Sequence, residues 1–97
     1  MTYDEFIQAT EDQSAGERLR PELKSLWYDK RGDWDTAHTI AQGIPSTEGS
    51  AIHAYLHHKE GDLGNASYWY NRAGRAMPKV SLDEEWDALA KEMVKLP

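Results

Sequence analysis

The sequence predicts an all-α protein, and three observations carry that prediction. Apolar residues recur at i, i+3, i+4 along most of the chain. Two glycine–aspartate pairs, Gly32-Asp33 and Gly61-Asp62, break that periodicity as a helix stop followed by a helix start would. No segment shows the period-two alternation of a half-buried strand.

Taken in order, the first element opens at Thr2. Thr2 and Glu5 fit a capping box, and Tyr3, Phe6 and Ile7 give the helix that follows an apolar face. Residues 11–20 are polar and lack a helical stripe. They read as a loop, with a single turn of helix available around Ser14 and Gly16. Pro21 suits the first position of a helix, where its missing N–H has no partner to lose. That helix runs to about residue 31, with Leu23, Leu26, Trp27 and Lys30 on one face. The next one places Trp34, Ala37, Ile40 and Ala41 inward. Its predicted stop is Gly43 in a left-handed conformation, then Ile44 folding back, then Pro45. Ser46 or Thr47 caps the following helix, which carries Ile52, Tyr55 and Leu56 and ends at Gly61. Asp62 caps its successor, with Leu63, Ala66, Trp69, Tyr70 and Ala73 at helical spacing. Ala54, Ala66 and Ala73 are small enough for close backbone approach. Ser81 and Glu84 form a second capping box. The last helix carries Leu82, Trp86, Leu89, Met93 and Leu96 on one stripe, acids in its first turns, and Lys91 and Lys95 near its end.

Composition narrows the function classes. Ninety-seven residues make one domain with a modest core. There is no cysteine, which excludes disulfides and thiolate zinc sites. The acidic N-terminus lacks a signal-peptide pattern, and no apolar run approaches the ~20 residues that span a bilayer. A cytoplasmic location is expected. The net charge of −6 argues against nucleic acid and anionic membranes as partners. Four tryptophans and five tyrosines supply large areas for burial.

The chain repeats itself. The stretch starting at Leu26 aligns without gaps to the stretch starting at Tyr55, with Gly32 and Gly61 set 29 residues apart. Leu23 then matches Ile52, Lys30 matches Lys59, Asp33 matches Asp62 and Ala37 matches Ala66. Ala54, Gly61, Ala66, Tyr70, Ala73 and Pro78 fit the pattern of a helical-hairpin repeat. At these residues the chain resembles the tetratricopeptide repeat and, within that group, its Sel1-like branch. As a whole it looks like small bacterial proteins of that fold without an assigned function. The resemblance implies two stacked hairpins over residues 21–78, flanked by an N-terminal helix and loop in residues 1–20 and a capping helix in residues 79–97. It also implies an interaction module whose first helices line a concave groove. Leu23, Leu26, Ile52 and Tyr55 would point into that groove and need cover from the terminal helices, a second copy of the chain, or another protein or peptide. His53 and His57 stand where the repeat pattern prefers apolar and aromatic residues.

The side chains with chemical potential cluster in the second hairpin. His53 and His57 lie one helical turn apart, the spacing that two metal ligands on a helix need. The zinc-protease pattern requires Glu after the first His, and Ala54 stands there. With no third ligand fixed by spacing, no metal and no cofactor is assigned. The alternative is a pair of histidines packed against the partner helix, hydrogen-bonded to side chains such as Tyr70. His58 completes the cluster, and His38 reads as a separate surface or interface residue. Trp69, Arg72 and Arg75 lie within two turns, so they form a cation–π or anion-binding patch unless the arginines pair with acids. Residues 83–85 read as acids favouring a helix N-terminus. No phosphate loop and no nucleophile with a neighbouring base is present. Two functions remain. One is an interaction module without catalytic activity. The other is a ligand-binding protein or enzyme that uses His53, His57 and His58 with Arg72 or Arg75.

Overall fold

Local caps decide where the helices begin. In a computed structural model that describes residues 1–97, six α-helices form: α1 (Tyr3–Ala9), α2 (Pro21–Lys30), α3 (Trp34–Gln42), α4 (Thr47–Glu60), α5 (Leu63–Ala73) and α6 (Leu82–Met93). A 3₁₀ turn at Ala15–Arg18 interrupts the loop between α1 and α2. There is no strand. Thr2 and Ser81 close full capping boxes with Glu5 and Glu84. Asp33, Ser46 and Asp62 each accept a backbone N–H of their helix's first turn. Gly32 and Gly61 take the left-handed conformation at φ 89°, so each reverses the chain within three residues.

The stop after α3 differs from the expectation. Gly43 is right-handed, at φ −85° and ψ −2°. Its N–H goes to the Ile40 carbonyl and the N–H of Ile44 to the Ala41 carbonyl, so the last turn tightens instead of reversing. The chain then passes through Pro45 directly into the Ser46 cap and needs no left-handed residue. A third left-handed glycine lies at Gly74, after α5.

Successive helices pack pairwise, α2 on α3 and α4 on α5, and α4 also touches α2, α3 and α6. Residues 51–57 are all buried. Seven positions are nearly two turns, so α4 has protein on every side. Ala54 and Ala66, both fully buried, let α5 approach α4 closely. The side that Leu23, Leu26, Ile52 and Tyr55 share is sealed, each residue at 3% exposure or less. The terminal helices supply the cover. Trp86 of α6 donates its indole N–H to the Leu26 carbonyl at 3.1 Å and stacks on Phe6 of α1 with ring centroids 5.8 Å apart. The last helix therefore spans α2 and α4 and is not confined to the α4–α5 pair. No helix is long and apolar enough to cross a membrane.

Candidate functional site

Helix α4 sends its polar side chains in three directions, because 100° per residue separates positions that are neighbours in sequence. His53 and His57 share the face between α3 and α5. His58 turns toward α6, and Tyr55 toward α2.

The first face is an aromatic and imidazole stack. The Nε2 atoms of His53 and His38 are 2.9 Å apart. One nitrogen of each of His38, His53 and His57 lies within 4.8 Å of the other two. Trp34, one turn before His38 on α3, stacks on that ring at 4.9 Å. Trp69 of α5 stacks on His53 at 4.0 Å. His57 Nδ1 meets the Glu60 carboxylate at 2.6 Å, so its Nδ1–H donates there and its Nε2 points away from Glu60. Burial pushes the His53 pKa down to about 4, and the neighbouring His38 and His57 rings add to the fall. His38 falls too, first through burial and then through His57, while Glu60 and Asp35 oppose the shift. The Nε2 atoms of His38 and His53 are hydrogen-bonded, one ring donating and the other accepting, so a proton or cation that enters must replace that bond.

The other two faces are closed ion networks. Tyr55 donates its hydroxyl to buried Asp29 at 2.7 Å, and Lys59 reaches the other Asp29 oxygen at 2.9 Å. His58 Nδ1 sits 3.1 Å from Glu85, which also accepts the Tyr70 hydroxyl. Burial and these carboxylates hold both tyrosines protonated, well above their usual pKa. Glu85 is thus a buried acceptor, whereas the sequence groups it with exposed acids at a helix start. The expected histidine partner of Tyr70 is His58 and not His53 or His57.

The two arginines separate. Arg75 forms a two-pronged ion pair with Glu92 of α6, which raises the arginine pKa and lowers that of the acid. Arg72 has no carboxylate within 4 Å. It lies over the Trp69 and Tyr68 rings at 5.4 and 5.8 Å. Beside it opens a cleft of about 350 Å³ between the α3–α4 connection and α5, lined by Ile44, Pro45, Ser46, Ser50, Trp69 and Arg72. Trp69 is therefore the wall between the histidine stack and this cleft.

Of the residues singled out from sequence, His53, His57 and Trp69 meet at one place, with Arg72 on its outer edge. His58, Tyr55 and Arg75 face elsewhere. The residue that sequence reasoning left apart is His38, which belongs to the stack. Its one signal was the i, i+4 spacing from Trp34, which puts an indole and an imidazole on one face of α3. Glu60 stood near the histidines in sequence, i, i+3 from His57, without being fixed as their partner, and Asp29 carried no distinguishing signal.

No protein-family model matches the chain, and neither curated proteins nor solved structures include a match to it.

Proposed function

We propose that the chain is a small helical interaction module of the tetratricopeptide or Sel1-like kind. It captures a short acidic segment of another protein in the cleft beside Trp69 and Arg72. The observation that carries this reading is Arg72, which has no carboxylate partner in a chain of net charge −6 and donates only to the Tyr68 hydroxyl, at 3.2 Å. Arg72 presents a guanidinium beside an indole face and the hydroxyls of Ser46 and Ser50. A carboxylate can pair with that guanidinium while an adjoining apolar side chain lies on Ile44, Pro45 and Trp69. The side that Leu23, Leu26, Ile52 and Tyr55 share is filled by α6, and the recess beside α5 is one of those that stay open.

The test is tryptophan fluorescence titration with a peptide library in which Glu or Asp flanks one Leu or Phe, against the matched Gln and Asn peptides. Acidic peptides should bind, binding should weaken as salt rises, and Arg72→Glu should cost at least roughly tenfold in affinity. Equal binding of the neutral peptides, or an unaffected Arg72→Glu chain, would reject this cleft.

A further inference from the structure

We infer that His38, His53 and His57 form a binding site for a single late first-row divalent transition ion, with zinc the ion to test. The site crosslinks α3 to α4 and owes nothing to the peptide-binding cleft. Three imidazoles that each turn a nitrogen toward the others are an unusual use of an interface. Packing alone would favour apolar side chains there, since each buried imidazole must keep a polar nitrogen satisfied. Imidazole suits zinc, copper and nickel, and three histidines leave zinc a fourth, open position.

The geometry is close to what such an ion needs. Ligand nitrogens at ~2.0–2.1 Å from a tetrahedral ion stand roughly 3.3 Å apart. The His38 and His53 nitrogens are at 2.9 Å and all three lie within 4.8 Å, so shifts of about 1 Å by ring rotation close the set. His53 and His57 are i, i+4 on α4, which fixes their relative placement before the ion arrives. Glu60 adds a second observation. Its carboxylate takes the Nδ1–H of His57, which directs the Nε2 lone pair away from Glu60 and strengthens it as a donor. That carboxylate–imidazole pairing is the usual support of a metal-bound histidine. The Trp34 ring stacks on His38 and the Trp69 ring on His53, so the trio lies between two indoles.

A rival set exists at His57, Glu60 and Asp62, whose two acids are exposed. It uses the same His57, so one chain cannot fill both with a common ligand. The trio has two buried members out of three, and in it Glu60 orients a ligand without being one.

The experiment uses the full chain stripped with EDTA. Zinc is titrated by calorimetry, and cobalt by its visible absorption, which is intense only in tetrahedral sites. One ion per chain is expected, with a melting temperature higher by roughly 10 °C at ~100-fold excess over Kd. NMR should show the rings of His38, His53 and His57 perturbed and that of His58 unmoved. His53→Gln and His38→Gln should each abolish binding. His38 is only half-buried, so its variant keeps the question answerable if His53→Gln fails to fold. Glu60→Gln should weaken binding roughly 10–100-fold. Asp62→Asn, which preserves the helix cap, should change nothing. Three results overturn the inference: no zinc or cobalt bound, full affinity in folded His38→Gln, or loss of binding in Asp62→Asn.

Discussion

His53 is a buried histidine with its pKa well below the usual value. Its folded pKa of about 4 lies below the unfolded ~6.5, so the unfolded chain binds the proton first as pH falls. Stability from this residue is complete above about pH 6.5 and is lost progressively down to about pH 4. The loss is of the order of 3 kcal/mol, at ~1.4 kcal/mol per pKa unit. Denaturant unfolding of the metal-free chain at pH 7.5 and pH 4.5 should show it, and His53→Gln should shrink the difference between the two. A His53 ring that titrates near 6.5 by NMR would dissolve this account. Gly49 poses a steric question of the same size. A Cβ there would come within 2.4 Å of the Ile44 carbonyl, a backbone atom with nowhere to go. Gly49→Ala should cost about 2 kcal/mol or more by overpacking. Gly64, also in a helix, meets nothing within 4 Å, so Gly64→Ala should instead gain up to ~1 kcal/mol from helix propensity. Thermal melts of the two variants that moved in the same direction would contradict both arguments.

Among the elements, α6 closes the core from the C-terminal end of the chain. It brings Trp86, Leu89, Ala90 and Met93 into the core, and it supplies Glu85 to Tyr70 and Glu92 to Arg75. Trp86→Ala should destabilise the chain by roughly 3–5 kcal/mol, the range for emptying a buried indole site. Removing residues 79–97 uncovers Leu26 and Ile52, so the remainder should aggregate or bind a hydrophobic dye. A truncated chain that stays monomeric with native exchange protection in α5 would show that α6 is dispensable. The α3 terminus teaches a different lesson about elements. Glycine, then an apolar residue, then proline fits a left-handed stop, yet the chain satisfies the last carbonyls by tightening the turn. Local composition permits both endings, and the direction in which α4 must depart selects one.

In the whole molecule, extents of 34 × 25 × 25 Å are arranged around α4, which is enclosed by α2, α3, α5 and α6. Amides in the middle of α4 should therefore exchange only through global unfolding, while those of α1 exchange through local fraying. Native-state hydrogen exchange with increasing denaturant would check this. Residues 52–56 opening at the same low denaturant as residues 3–9 would remove α4 from the centre of the fold.

The sequence by itself determined the helices, most of their caps and the left-handed turns at Gly32 and Gly61, though not the one at Gly74. Those features depend on neighbours within four residues and on spacing along one chain. It also carried the small-residue contact of α4 with α5, and it placed His53 and His57 on one face. Only the tertiary structure decided what those faces meet. It joined His38 to the pair, turned His58 and Tyr55 away to separate carboxylates, buried Asp29 and Glu85, paired Arg75 with an acid, and left Arg72 without one. Each of these is a contact between helices remote in sequence, and its formation depends on rotation and offset of helix axes. Periodicity fixes which side of a helix is apolar to within about one residue, or 100°. That is enough to find a core, but it is too coarse to say which imidazole will lie 3 Å from another.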